Sequence, residues 1–163
     1  AAAGTMVLLI RRAQALMEAA GDDGDFDALC QQLHRYQATL RTCFTLENFD
    51  NLIKNGRMRP IVGTLLRSLG IHIIADATAE GTIHVADKAR GVGKTYRAIT
   101  ALMKASKACT DAEVVISHCE NLEGAMALKR QILADLPVKQ VDLLSCRGLT
   151  SFYAMEKGLI VGY

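Results

Sequence analysis

Residues 71–87, IHIIADATAEGTIHVAD, restrict the possible folds of this chain more than any other stretch. Apolar and polar residues alternate in the two outer parts, IHIIAD and TIHVAD, and the segment ATAEG lies between them. Alternation has the two-residue period of a β-strand, and a short glycine-containing segment between two such runs is typical of a turn. The stretch therefore predicts an antiparallel hairpin, and the segments on either side decide the fold class.

Helical periodicity dominates the residues before this hairpin. Apolar residues recur at intervals of three and four over residues 5–20, which predicts an amphipathic helix. A second helix follows, with an apolar stripe formed by Phe26, Leu29, Cys30, Leu33 and Tyr36. A strand over 42–46, a short helix through Phe49, Leu52 and Ile53, and a helix that starts near Pro60 and ends at Gly70 complete this half.

Helices and strands alternate after the hairpin. The pattern predicts a helix over 93–108, the strand EVVISH, a helix over 122–134, the strand VKQVDLL, a helical stretch over 150–157 and the strand GLIVGY. Alternation of this kind favours βαβ units. The sequence thus predicts one α/β domain over residues 1–163, with a mixed β-sheet that contains an antiparallel hairpin and is flanked by helices.

Charge and cysteine content exclude several classes of protein. The formal net charge of +2 is too small to indicate a nucleic-acid-binding surface. The apolar run from Met6 to Ile10 is far shorter than the roughly 20 residues that span a bilayer. The five cysteines are widely spaced and form no C-x-x-C pair, which favours free thiols in the cytoplasm over disulfides or zinc. We expect no metal and no cofactor.

The segment KARGVGKTYR at residues 88–97 has some features of a phosphate-binding loop. A P-loop requires a glycine five residues before its Gly-Lys-Thr, but Lys88 occupies that position here. The four cations Lys88, Arg90, Lys94 and Arg97 still lie close to a predicted helix N-terminus, which favours anions. One interpretation is a solvated basic loop. Another is a surface that binds an acidic partner protein or a phosphorylated ligand. A third is the site of a phosphate-handling enzyme, which would use Lys88, Arg90, Lys94 and Thr95.

Histidines give weaker signals. His72 and His84 lie on the two arms of the hairpin and could face each other as a structural pair. His118 and Cys119 end a strand before a helix, where sites are common in α/β sheets. Adjacent strand residues point to opposite faces, so this pair is a poor candidate for catalysis.

A second basic segment, LIKNGRMRP, contains Lys54, Arg57 and Arg59 between two predicted helices. The longer stretch TCFTLENFDNLIKNGRMRP resembles the DegV family, in which a strand with a Thr-Leu-Glu turn leads into a helix and then Lys-x-Gly-Arg. The resemblance continues through GTLLRSLGIHII, KARGVGKTYRAI, VVISHCENLEGAMALKRQI and GLIVGY, in the same order and spacing. It covers almost the whole chain.

Membership of this family implies a fatty-acid-binding protein and not an enzyme. Proteins of the family are bacterial, consist of two α/β domains and hold a long-chain fatty acid or a similar acyl lipid between them. Some present the acyl carboxylate to a fatty acid kinase. The resemblance places this chain in the C-terminal domain, and the absence of an initiator methionine agrees with a missing N-terminal domain.

The same resemblance implies a set of ligand-binding residues. Arg57 matches the Gly-Arg position that pairs with the carboxylate. The family has a histidine near the carboxylate, and Tyr153 stands about there, preceded by Thr150 and Ser151. Lys88, Arg90, Lys94 and Arg97 become a docking surface for the kinase, although a protein-docking or dimerisation module remains an alternative. The apolar slot for the acyl chain would be lined by Leu65, Leu66, Leu69, Ile71 and Ile73.

Overall fold

The computed structural model describes residues 3–22, 24–58, 70–78, 82–106 and 108–163. Within these ranges the chain forms six helices and six strands. In chain order they are α1 (Gly4–Ala20), α2 (Phe26–Thr39), β1 (Thr42–Thr45), α3 (Asp50–Lys54), β2 (Ile71–Ala77), β3 (Ile83–Arg90), α4 (Val92–Ala105), β4 (Glu113–His118), α5 (Leu122–Asp135), β5 (Gln140–Ser145), α6 (Gly148–Ala154) and β6 (Leu159–Gly162).

The strands form one mixed sheet in the order β3-β2-β1-β6-β4-β5. Strands β4 and β5 are parallel, and the other neighbouring pairs are antiparallel. The predicted fold class is therefore confirmed. The expected βαβ connection is correct for β4-α5-β5, whereas β6 turns back and lies between β1 and β4, antiparallel to both.

The predicted hairpin is formed by β2 and β3. Its turn is closed by the Thr78 N–H, which donates to the Thr82 carbonyl oxygen at 2.9 Å, and by a 2.8 Å contact between the two threonine hydroxyls. This closure places Asp76 opposite His84. The Nδ1 atom of the His84 ring lies 3.0 Å from the Asp76 carboxylate. The suggested pairing of His72 with His84 is wrong, because His72 lies opposite Ala89, beyond a bulge at Ile74 and Ala75.

The first face of the sheet is covered by α4 and α5. Inward-facing residues of the strands alternate with outward-facing ones, so every second residue of β4 reaches this side. The buried core there includes Ile74, Ile99, Met103, Val114, Ile116, Leu128, Ile132 and Val161.

The second face of the sheet is covered by α1, α3 and α6. The backbone of α1 lies directly on β4 and β6: a Cβ atom on Gly4 would be 2.6 Å from the carbonyl oxygen of Val115. A Cβ atom on Gly162 would similarly collide with the backbone nitrogen of Thr5. Only glycine, which has no Cβ atom, allows α1 to lie this close to the sheet.

Some boundaries differ from the predicted ones. Phe26 is 74% exposed and lies outside the apolar stripe of α2, which is carried by half-buried residues after it. Helix α6 ends at Ala154, earlier than the predicted 157, because Met155 and Lys157 have the positive φ angles of 53° and 65°. The helix predicted between Pro60 and Gly70 lies outside the described residues.

Candidate functional site

A distinct apolar cluster fills the space between the second face of the sheet and helices α3 and α6. We call it the second-face cluster; its buried members are Phe44, Leu46, Phe49, Leu52, Ile73, Ala75 and Ala154. Ile73, a predicted slot residue, is 2% exposed within it. Ile71 is half-buried at the start of the same strand. Leu65, Leu66 and Leu69 lie outside the described residues.

Arg57 lies at the margin of this cluster, just after α3. Gly56 has a φ of 67°, and its N–H donates to the Ile53 carbonyl oxygen at 3.0 Å. The Arg57 N–H donates to the Leu52 carbonyl oxygen at 2.8 Å. These two bonds are the Schellman arrangement that ends helices, so the backbone of Arg57 is held firmly. Its side chain is exposed, while the next residue, Met58, packs against the second-face cluster.

Helix α6 carries the other predicted polar residues, Thr150, Ser151 and Tyr153. All three are half-buried, and Tyr153 packs against the second-face cluster. Its ring also meets the ring of Phe152 edge to face, with centroids 5.1 Å apart. The structure thus brings the helix of Tyr153 and the end of α3 to the same side of the sheet as Ile73.

One side-chain contact joins these two helices. The Nδ2 atom of Asn51 on α3 donates to the carbonyl oxygen of Phe152 on α6 at 2.6 Å. Sequence reasoning missed this contact, because the two partners are 101 residues apart and no local pattern connects them.

The predicted basic surface lies elsewhere, across the start of α4 and the edge strand β3. Lys88 and Arg90 are exposed on β3, and Lys94 and Arg97 are exposed on α4. Cations on an edge strand also discourage pairing with strands of other molecules. The hydroxyl of Thr95 donates to the Gly91 carbonyl oxygen at 3.1 Å, and the residue is 1% exposed. The proton of this hydroxyl is already donated to Gly91, so Thr95 has no donor left for a phosphate oxygen, which argues against the phosphate-handling alternative.

A cavity of about 330 Å³ opens between the first turns of α4 and α5 on the first face. Its polar lining is mixed in charge and includes Glu47, Glu123, Lys157 and His72. Thr45 contributes a buried hydroxyl that has no hydrogen-bond partner among the described residues. Burial, and then the carboxylates of Glu123 and Glu47, raise the pKa of Tyr96, so this phenol is a neutral donor. Sequence reasoning missed the cavity, since separate elements supply its walls.

His118 and Cys119, the pair that was a poor candidate for catalysis, have different surroundings, as expected for adjacent strand residues. Cys119 packs against the second-face cluster, while His118 is buried and accepts a hydrogen bond from the Asn121 N–H at 3.4 Å.

In the described part of the chain, no helix has the length and apolar character that crossing a bilayer requires.

Comparison with protein families gives a match over nearly the whole chain. The family model described as "Uncharacterised protein, DegV family" matches residues 2–159. A DegV domain-containing protein of Streptococcus gordonii is 31% identical over 163 residues, which are 99% of this chain and 56% of that protein. A DegV domain-containing protein of Streptococcus pneumoniae is 32% identical over 164 residues, with the same coverage. This chain spans little more than half the length of these relatives.

Solved structures give the same result. The Fatty Acid Kinase B3 protein of Streptococcus pneumoniae, loaded with linoleic acid, superimposes with a TM-score of 0.90 at 29% identity, over 100% of this chain and 57% of that one. A DegV family protein of Eubacterium eligens, loaded with heptadecanoic acid, gives a TM-score of 0.86 at 26% identity, over 96% of this chain and 55% of that one.

Proposed function

Because this chain belongs to the DegV family, we propose that it forms one side of a binding site for a long-chain fatty acid. The observation that carries the proposal is the match, over the full length of this chain, to a protein loaded with linoleic acid. The chain would correspond to the C-terminal domain of a two-domain protein, with the ligand held between the domains. The relatives are long enough for a second domain of similar size, since this chain covers 56% of them.

The second-face cluster is the proposed contact surface for the acyl chain. Each buried methylene contributes about 0.8 kcal/mol, so a long acyl chain needs an apolar slot more than it needs polar contacts. Ile73 would line this slot from the sheet. Lining by Leu65, Leu66 and Leu69 stays a prediction from the sequence, since these residues lie outside the described ranges. The margin of the cluster is where polar groups stand, and the carboxylate belongs there.

Arg57 is the proposed partner of the carboxylate. A guanidinium can donate two parallel hydrogen bonds to a carboxylate, and such charge-assisted pairs are stronger than neutral ones. The capped end of α3 supports this role because it fixes the backbone from which the exposed side chain reaches. Tyr153, with Thr150 and Ser151, would add hydroxyl donors from α6.

The protein is proposed to be a carrier and not an enzyme. The matching Streptococcus pneumoniae protein is described as the Fatty Acid Kinase B3 protein, which supports presentation of the acyl carboxylate to a kinase. Lys88, Arg90, Lys94 and Arg97 would then form the docking surface for an acidic face of that kinase. Exposed charges of this kind act mainly on the association rate and its salt dependence.

Mass spectrometry of lipids extracted from the purified, intact protein tests the function. We expect a long-chain fatty acid to copurify in proportion to the protein, and linoleic or heptadecanoic acid to load after delipidation. A protein with unrelated binding activity, such as maltose-binding protein from the same cells, controls for carry-over. If no fatty acid copurifies or loads while the protein forms stable dimers, a docking or dimerisation module is the better description.

A further inference from the structure

Two cysteines that are distant in sequence meet at the end of the parallel pair β4–β5. The register of this pair places His118 opposite Ser145, and the Cys146 N–H donates to the His118 carbonyl oxygen at 2.7 Å. This bond belongs to the last registered pair, so Cys119 and Cys146 are the next residues along the two chain segments. Cys119 also helps to raise the pKa of the Cys146 thiol, an effect that requires the two groups to lie near each other. Neighbouring strands lie about 4.8 Å apart, within the roughly 4.4–6.8 Å between Cα atoms that a disulfide requires.

The two side chains also point the same way. Opposed residues of a parallel pair extend to the same face, and both Cys119 and Cys146 pack against the second-face cluster. Both thiols are free and half-buried, whereas Cys43 and Cys109 are fully enclosed in the core. Neighbouring positions, a common face and partial exposure, which a disulfide requires, thus coincide at Cys119 and Cys146, and all five cysteines are among the described residues.

We propose that Cys119 and Cys146 form an oxidation site, at which a low-molecular-weight disulfide converts the two thiols into a Cys119–Cys146 disulfide. The Cys119 thiolate attacks one sulfur of the oxidant, forms a mixed disulfide and releases a thiolate that takes up a proton. Cys146, once deprotonated, then attacks the Cys119 sulfur and expels the second thiolate. Two protein thiols are oxidised, and one small disulfide is reduced to two thiols.

The environment of Cys146 assigns the order of these two attacks. Burial raises the pKa of this thiol to about 11, and the neighbouring Cys119 adds to the rise. The thiolate is the attacking species in disulfide exchange, so Cys146 is a poor first nucleophile. It becomes effective as the second one, because the mixed disulfide stands beside it in the opposed position.

A bond at this position would act on α6. Cys146 lies two residues before Gly148, the first residue of that helix, and α6 carries Thr150, Ser151 and Tyr153. Linking Cys146 to the end of β4 restrains the start of α6 and so the hydroxyls at the margin of the cluster. We expect bound fatty acid to dissociate more slowly from the oxidised form; this consequence rests on the proposed function, whereas the disulfide itself does not.

Oxidised glutathione and peptide mapping of the intact protein test the site. After oxidation and alkylation of the remaining thiols, tryptic peptide 140–147 should be joined to peptide 108–129, and both free peptides should be lost. Peptide 108–129 also contains Cys109, so fragment ions must place the bond on Cys119. The Cys146→Ser variant should instead retain glutathione on Cys119, and Cys30 provides a half-buried control thiol that should form no protein crosslink.

Separate glutathione adducts on Cys119 and Cys146 in the folded wild type, or a bond that maps to Cys109, would overturn the proposal. Fatty-acid release is then measured in the oxidised wild type, the reduced wild type and the Cys119→Ser/Cys146→Ser double variant. If the disulfide forms but the rate of fatty-acid release is unchanged, the proposed effect on α6 is refuted and the oxidation site still stands. A protein that takes up no fatty acid refutes the proposed function alone, since the peptide map needs no ligand.

Discussion

The side-chain amide of Asn51 donates a 2.6 Å hydrogen bond to the carbonyl oxygen of Phe152, and this bond joins the helix that precedes Arg57 to the helix that contains Tyr153. The two groups proposed to hold the carboxylate are thus linked by a direct hydrogen bond as well as by the packing of both helices on the second-face cluster.

Asn51→Ala should weaken fatty-acid binding although Asn51 is not proposed to touch the ligand. Loss of one hydrogen bond lowers the free energy of unfolding by about 1 kcal/mol and lets α3 and α6 move apart. Asn55→Ala is the matched control, because the Asn55 amide bonds within α3, to the Asn51 carbonyl oxygen at 2.8 Å. Chemical denaturation and fluorescent fatty-acid displacement would measure both variants, and equal losses of affinity would contradict the linking role of Asn51.

Arg57→Ala should reduce the affinity for a fatty acid roughly tenfold or more, because a hydrogen bond to a charged group contributes about 1.5–3 kcal/mol. The affinity for the corresponding fatty alcohol should change little, since the alcohol lacks the carboxylate. Lys54→Ala removes an exposed cation from the last position of α3, just before Arg57, and should leave both affinities unchanged. Equal effects of Arg57→Ala on acid and alcohol would move the head-group site away from Arg57.

Tyr153→Phe should lower the affinity for fatty acid while changing the free energy of unfolding less. The ring packs against the second-face cluster and should stay there, while the phenolic donor is lost. Thr150→Val and Ser151→Ala remove the other two hydroxyls of α6 one at a time. Isothermal titration of the three variants would rank the hydroxyls, and three unchanged affinities would exclude α6 from the carboxylate site.

Gly56→Ala should destabilise the protein and displace Arg57. A Cβ atom there would meet nothing within 4 Å, so the cost comes from the φ of 67° and amounts to about 1–2 kcal/mol. Gly21→Ala is the control, because Gly21 follows α1 with a φ of 63° and similarly open space. Both variants should unfold at lower denaturant concentration, and a selective loss of fatty-acid affinity is expected in Gly56→Ala.

Thr100→Val should reduce stability at neutral pH and have less effect in acid. The Thr100 hydroxyl donates to the Asp135 carboxylate at 2.9 Å and connects α4 to α5. The pKa of Asp135 lies below its ordinary value. The largest cause is the hydrogen bond from Gln131, and the hydrogen bond from Thr100 is the second. A carboxyl whose folded pKa is lowered contributes stability above its unfolded pKa of about 3.9 and loses that contribution as the pH falls through the folded pKa.

Denaturant unfolding from pH 7 to pH 2 measures this effect. The difference in unfolding free energy between the wild type and Thr100→Val should narrow as the pH falls below about 4. Asp135→Asn removes the titrating group and should abolish the narrowing. A difference that stays constant over the whole range would assign the effect of Thr100 to packing.

Local patterns predicted the parts of this fold that local interactions determine. Alternation was sufficient for the hairpin, but the opposition of Asp76 and His84 depends on how Thr78 and Thr82 close the turn. The central position of β6 depends on pairings with β1 and β4, which no window of sequence contains. The same holds for the site: the Gly-Arg pattern predicted Arg57, whereas the Asn51–Phe152 bond and the Cys119–Cys146 pair require distant segments to be folded together.

The position of β6 has a consequence for how the protein is made. Strand β6 is the last of the described strands to leave the ribosome, yet it lies between β1 and β4. A nascent chain that lacks residues 159–162 holds two partial sheets, each with an uncovered edge at β1 or β4. Such edges pair readily with other chains. Completion of the sheet therefore coincides with arrival of its central strand, and premature termination before that strand should yield an aggregating product and not a smaller stable domain.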